Sequence, residues 1–359
     1  MEQKIVKLGI VGAGRGRSQG LSTYGNANAR VTALCDRNPE VLAECKKLFE
    51  DRGMTGFTCY SEYEDMLAEA DIDAVVIATD KPLHTQHVIM ALRAGKHVLS
   101  EIPAVSSIEE AKLLKAEVLA HPELKYMVGE NCCYWAFIET WKRMYEDGKF
   151  GEAVYAEGEY LHSTHPDQLK PYPTEHWRKY SPAITYLTHE LGPLLYILDD
   201  YCVSVSCMEP EPVYNPYRVG PANGIAIFKT AKGAVIRIFI GFGTYVGFDH
   251  NFALYGTRGS ILTDKTKPLS EAHSFAKLYE VPGTMERALE IPVGMAFEGE
   301  STEGHGGAEP KMMAEFFRCI LDDTQPKRDV DAAIRMSLPG VLAHESALQG
   351  GALLEIPQI

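Results

Sequence analysis

Two side chains able to pass a proton stand three residues apart in "YLTHELGPLLYILDD": Tyr186 and His189. If this segment is helical, Leu191, Leu194, Leu195 and Leu198 repeat at i, i+3, i+4, i+7 and form one apolar stripe. Tyr186 and His189 then fall side by side on the opposite face. An imidazole of ordinary pKa ~6.5 beside a phenol can take up a hydroxyl proton. The pattern also suits a solvated Tyr/His face or a capping cluster, and Pro193 can distort the spacing. Glu130 ends the run "KYMVGE", where a carboxylate at a strand's carboxyl end can abstract a proton, bind a hydroxyl or sit in a buried salt bridge. His162 closes "EAVYAEGEYLH" and shares a strand face with Tyr160 by the period-two rule. On residue pattern alone, a structural histidine is the default there. Trp177 and Arg178, in "EHWR", could reach over a bound cofactor or substrate, or simply pack. His162, His165, His176 and His189 invite a metal, but their spacing is irregular and they lie on different elements. No metal is expected.

A second constellation suits a dinucleotide. The strand "KLGIVG" runs into Gly12-Ala13-Gly14-Arg15-Gly16-Arg17. Gly12 allows a tight turn, and Gly14 lets backbone amides approach a pyrophosphate at the next helix's N-terminus. The third glycine of GxGxxG would fall at 17, where Arg17 stands instead; Gly16 precedes it. Asp36 closes the second strand and is placed for adenosine ribose hydroxyls. The alternative is a purely structural βα turn. Asp36 favours NAD, because a 2′-phosphate would sit against its carboxylate, while Arg37 keeps NADP as the less favoured cofactor. Arg15 and Arg17 could pair with the pyrophosphate or lie in solvent, and contact is expected of one of them. Thr79 and His84 follow the strand "DAVVIATD" beside the expected cofactor, with helix capping as the other role for His84. Glu101 and Pro103 of "SEIPAV" are expected to shape the nicotinamide pocket, Pro103 through a cis bond if it takes one. Asn131 is counted with the cofactor-binding set.

These residues need a scaffold, and the chain supplies two patterns. In the first third, "KLGIVG", "RVTALCD", "DAVVIATD", "HVLSE" and "KYMVGE" read as strands. They are separated by helical stretches such as "PEVLAECKKLFEDRG" and "PLHTQHVIMALRAG". Near-continuous apolar strands alternating with helices predict a doubly wound parallel α/β sheet covered on both faces. After about residue 125, runs such as "CVSVSCMEP" and "HNFALYGTRGSILTD" alternate as antiparallel strands do. "AIFKT-AKG-AVIRI" reads as a hairpin with Gly233 in its loop. The expected division is a nucleotide-binding domain over 1–125 and an α+β substrate-binding and oligomerisation domain over 126–359, with a large, mostly antiparallel sheet. Residues 265–310 read as irregular, and two helical stretches finish the chain.

At 359 residues the chain can hold two packed domains, since single cores stop growing at roughly 250–300 residues. Asp plus Glu (49) exceed Lys plus Arg (35), for a formal charge of -14. Nucleic acid is therefore not an expected partner. No run of about 18 apolar residues offers a membrane span. The eight cysteines show no CxxC spacing, and "MEQKIVKLGIVG" passes into a strand without a signal-like apolar region. A cytoplasmic protein with buried thiols is the expectation.

The stretches "GIVGAGRGRS" and "VVIATDKPLHTQHVIMALRAGKHVLSEIP", with the change of pattern near residue 125, resemble the Gfo/Idh/MocA family of NAD(P)-dependent sugar oxidoreductases. The resemblance covers essentially the whole chain. It implies a Rossmann domain followed by an open-faced sheet, whose face could be covered by another subunit in a homo-oligomer. Many members carry Lys between the Glu and Pro of "SEIPAV", where it helps move the substrate's proton; here Ile102 stands. "EIPA", "GENCCY", "GEAVYAEGEYLH", "YLTHELGP" and "GHGG" resemble more closely the NAD-dependent glycosidases typified by α-N-acetylgalactosaminidase. Those enzymes oxidise a sugar at C3, eliminate the aglycone, add water and reduce the ketone again. The positions this resemblance implies are Glu130, His162, Tyr186 and His189, acting on a small sugar or glycoside. Arg17 in place of glycine and a shorter segment between His162 and Tyr186 depart from the pattern. A conventional sugar or cyclitol dehydrogenase and a non-catalytic NAD-binding regulator are the rival readings.

Overall fold

The structure is a computed structural model that describes residues 4–162, 176–211, 219–244, 249–267, 274–281 and 285–359. Short apolar strands and capped helices alternate from the start. They run β1 (Val6–Val11), α1 (Ala13–Leu21), β2 (Ala29–Cys35), α2 (Pro39–Asp51), β3 (Thr58–Tyr60) and α3 (Tyr63–Glu69). β4 (Ala74–Ile77), α4 (His84–Arg93), β5 (His97–Ser100), α5 (Ile108–Ala120) and β6 (Tyr126–Val128) follow. The helix starts are written locally. Asn38 accepts hydrogen bonds from the amides of Glu40 and Val41 with Pro39 at the first helical position, and Ser107 accepts from Glu110.

The six strands pair in parallel in the order β3-β2-β1-β4-β5-β6. All four residues of β4 are buried, as a strand covered on both faces must be. Strand order reverses between β1 and β4, the switch point at which such sheets bind ligands beyond their carboxyl ends. Gly12, Asp36, Thr79, Glu101 and Glu130 all lie just past carboxyl ends of these strands. β3, only three residues long, gave no apolar run to read in the sequence.

The later elements are α6 (Ala136–Glu146), β7 (Ala153–Leu161), α7 (Thr188–Leu198), β8 (Cys202–Met208), β9 (Asn223–Thr230), β10 (Val235–Gly241), β11 (Asp249–Gly256), β12 (Gly259–Thr263), β13 (Ser274–Val281) and β14 (Met285–Ile291). α8 (Glu303–Leu321), α9 (Val330–Leu348) and β15 (Leu354–Glu355) complete the chain. Nine strands form the second sheet in the order β14-β13-β12-β11-β7-β10-β9-β8-β15. Its pairs are antiparallel except β7 with β10. The β9–β10 hairpin turns at Gly233, whose φ of 99° favours glycine.

Along β9, buried and exposed residues alternate strictly, so one face is covered and the other is open. Gly158 on β7 permits close packing on the covered face, since a Cβ there would lie 2.6 Å from the Cβ of Glu190 in α7.

The region 265–310, expected to be irregular, instead contains β13, β14 and the start of α8. In β13, Ser274, Ala276 and Leu278 are buried while Phe275 and Lys277 are exposed. Period two is present, but an aromatic on the outer face hides it from a hydrophobicity reading.

The chain divides into two compact units. One holds the residues up to Glu130 together with Glu303–Ile334 and Ile359; the other holds Asn131–Thr302 and Arg335–Gln358. No helix of the described residues is long and apolar enough to cross a membrane.

Candidate functional site

In the first unit, Gly12 adopts φ 87° and donates its N–H to the Cys35 carbonyl at 2.9 Å. A Cβ at this position would come within 2.2 Å of the Ala78 carbonyl oxygen, so only glycine fits. The helix–strand closeness expected of a third glycine is supplied by Gly16, whose Cβ would lie 2.5 Å from Ile10. Position 17 is thereby released, and Arg17 points outward to Glu44 at 3.9 Å, an exposed pair of little energetic weight. A Cβ on Gly14 would meet only Val41, at 3.5 Å, so its packing does not require glycine.

α1 has no side-chain cap and no acidic residue in its first turn, which suits an anionic ligand at its N-terminus. Asp36 accepts the Asn38 amide at 2.9 Å and Arg37 is exposed. A glycine-only turn, an uncapped helix start and a carboxylate past β2 fit NAD.

Arg15 is held between two carboxylates, Glu101 at 2.9 Å and Glu309 at 2.7 Å. Glu309 is fully buried and also accepts from Ser18 and His305. Burial opposes its ionisation, but the His305 hydrogen bond and the Arg15 charge hold its pKa at about 2. Gly304, His305, Gly306 and Gly307 all adopt positive φ, a left-handed run that folds His305 back onto Glu309. Thr79 Oγ1 lies 2.9 Å from His87 Nδ1. His84 is buried, with ring nitrogens 2.9 Å from the carbonyls of Thr79 and Pro103. It ties the loop after β4 to the loop after β5, and burial lowers its pKa. The Ile102–Pro103 peptide is cis and the Ile102 side chain is buried. Glu130 is fully buried, two residues past β6.

In the second unit, a 3₁₀ turn (Ala183–Tyr186) precedes α7, so the segment expected to be one helix is broken between Tyr186 and Thr188. The two rings still meet: Tyr186 and His189 lie 5.3 Å apart, edge to face. Leu191, Leu194, Leu195 and Leu198 are buried, as the stripe requires. Tyr160 joins the cluster from β7. Its ring lies 5.5 Å from His189, 6.5 Å from Tyr186, 5.8 Å from His162 and 5.1 Å from Phe242. Burial, with the nearby Tyr186 and Glu190, drives the Tyr160 pKa well above 10, keeping this phenol neutral. Arg178 stacks on Trp177 at 4.6 Å and approaches the Tyr186 ring at 5.9 Å. His176 accepts the Arg178 amide as a turn cap. His165 lies outside the described residues.

Several members of this cluster were not singled out as site residues from sequence. His250 stands directly opposite Tyr160 in the β7–β11 register, stacks on it at 4.2 Å and lies 2.5 Å from buried Glu190. Phe242 follows β10, which pairs beside β7. Cys132 Sγ lies 3.3 Å from His189 Nδ1 and 3.4 Å from Asn131 Oδ1. Only Glu190, inside "YLTHELGP", carried a local signal. His250 and Phe242 are placed by strand pairing, and Cys132 by the packing of its 3₁₀ turn against α7. The arrangement can accept and return a proton beside aromatic walls suited to a sugar ring.

Residues 6–130 match the family model of an oxidoreductase family with an NAD-binding Rossmann fold, and residues 138–262 match that of the GFO/IDH/MocA C-terminal domain. The chain is similar to a glycosyl hydrolase family 109 protein 2 and to an alpha-N-acetylgalactosaminidase, both of Bacteroides fragilis. Each is 28% identical over 98% of this chain and 91% of the relative. A levoglucosan dehydrogenase solved with NADH and levoglucosan superposes with a TM-score of 0.83 at 20% identity, covering 99% of this chain and 100% of that one. The myo-inositol 2-dehydrogenase of Lactobacillus plantarum gives 0.79 at 18%, with the same coverage. At such identities the solved structures establish the fold. Together the two family matches span more than half of the chain, which belongs to the Gfo/Idh/MocA oxidoreductase family and carries its NAD-binding Rossmann fold.

Proposed function

We propose that this protein is a sugar-active enzyme that hydrolyses a glycoside by transient oxidation at C3. The observation that carries this reading is the Tyr186–His189 pair seated on Tyr160, in a chain whose "SEIPAV" joint has a buried isoleucine where a lysine would handle the proton. The Gly12 turn, the start of α1 and Asp36 would hold NAD, which would supply reversible hydride chemistry at the sugar carbon. His189, with Tyr186, removes the C3 hydroxyl proton and gives it back at the end. A ketone at C3 acidifies the C2 hydrogen, and Glu130 or His162 takes that proton while the aglycone leaves C1. Water then adds at C1, C2 is reprotonated and the ketone is reduced, so the net change is hydrolysis. Arg178, which approaches Tyr186 and stacks on Trp177, would orient the ligand. The names of the Bacteroides fragilis relatives make an N-acetylgalactosaminide the first substrate to try.

The similarity to sugar and cyclitol dehydrogenases supports a second reading, net oxidation with NADH release. The open face of the second sheet presents Ile225, Ile227, Tyr255 and Phe275, and we infer that a second copy of the chain covers it. Incubation with chromogenic α- and β-glycosides, without added NAD, tests the function. Aglycone release without NADH accumulation is expected. Stoichiometric NADH from a free sugar, with no glycoside cleaved, would overturn hydrolysis in favour of the dehydrogenase.

A further inference from the structure

We propose that Cys132 is a positioning residue that fixes His189 in its Nδ1–H tautomer and thereby leaves Nε2 as the base. The Cys132 sulfur lies 3.3 Å from His189 Nδ1 and 3.4 Å from Asn131 Oδ1. A thiol carries one proton, and an amide oxygen can only accept. With the amide oxygen of Asn131 facing the sulfur, the S–H donates to Oδ1, and the sulfur lone pair then receives the proton on Nδ1. A neutral imidazole protonated at Nδ1 has its free lone pair on Nε2. Proton flow is thus written into a short relay, Nδ1–H to sulfur and S–H to amide oxygen, which no water interrupts easily because Cys132 and Asn131 are almost completely buried.

The sequence of the turn makes this possible. Asn131–Tyr134 is a 3₁₀ turn that presents consecutive residues at fixed angles, so amide and thiol are delivered together. The aromatic edges of Tyr160, Tyr186 and His250 pack around the imidazole at 5.3–6.1 Å and restrict its rotation. Sulfur hydrogen bonds are weak, so what Cys132 contributes is a choice of tautomer rather than affinity. The catalytic use of that choice rests on the function proposed above; the tautomer itself does not.

The test therefore has two arms. Long-range ¹H–¹⁵N correlation spectra of histidine-labelled protein, with His189 assigned through His189→Gln, read the tautomer directly. In the neutral form we expect a protonated Nδ1 and an unprotonated Nε2, and Cys132→Ala should shift the ring towards Nε2–H. In the second arm, Cys132→Ala lowers kcat for aglycone release about ten- to a hundred-fold with little change in KM, and Cys132→Ser restores most of it. A wild-type His189 protonated at Nε2 overturns the proposal, even if the variants fail to fold. An Nδ1–H tautomer in a protein that neither cleaves glycosides nor forms NADH would support the positioning and overturn the activity.

Discussion

Tyr186 and His189 are joined by more than their spacing. The imidazole lies between a thiol on one side and aromatic rings on the others, so its orientation is set before any ligand arrives. Replacing His189 with Ala, or Tyr186 with Phe, should lower kcat by about 10²- to 10⁴-fold while NAD binding, followed by fluorescence titration, stays unchanged. Equal activity in both variants would remove them from the proton path. A second residue-scale expectation concerns Glu309. Its pKa of about 2 lies below the ordinary carboxylate value of 4.5, so the ionised form stabilises the fold. That stabilisation, roughly 3 kcal/mol at most, is complete above pH ~4.5 and is lost as the pH falls towards 2. Denaturant midpoints measured across this range should decline less steeply in Glu309→Gln than in the wild type; parallel declines would contradict the assignment. Gly12 and Asp36 were legible in the sequence because their geometry is local. Cys132 and His250 were not, because each finds its partner some 60 residues away.

Among the elements, α7 and β7 decide whether the cluster exists at all. β7 is central in its sheet and carries Tyr160, while Gly158 lets α7 come close enough to place His189 beside that ring. Gly158→Ala inserts a Cβ 2.6 Å from that of Glu190, and should cost about 1–3 kcal/mol in stability together with most of the activity. Unchanged denaturation and turnover would show that α7 can shift freely. The sequence revealed α7 through its leucine stripe, although it hid the 3₁₀ break after Tyr186. Most of the parallel strands were legible as unbroken apolar runs. β13 and β14 were not; on β13 the outer face carries Phe275 beside Lys277, which erases the alternation in hydrophobicity.

At the scale of the whole molecule, one unit carries the NAD-binding Rossmann sheet and the other carries the second sheet with the Tyr160, Tyr186 and His189 cluster. The open sheet face is apolar at Ile225 and Ile227, whereas neighbouring strands carry Arg237 paired to Glu157 and Glu159. Light scattering should report an oligomer, and Ile227→Glu should reduce it towards monomer; a wild-type monomer mass would contradict this use of the face. The switch from helix-separated strands to alternating ones marked the second sheet in the sequence, but strand order could not be read there, because pairings such as β7 with β10 join distant segments. The central claim, transient oxidation at C3, is tested most directly by running the cleavage of a reactive glycoside in D₂O and examining the released sugar by NMR. One solvent deuteron at C2 for each turnover is the predicted result. Released sugar that retains its original hydrogen at C2 would contradict the account.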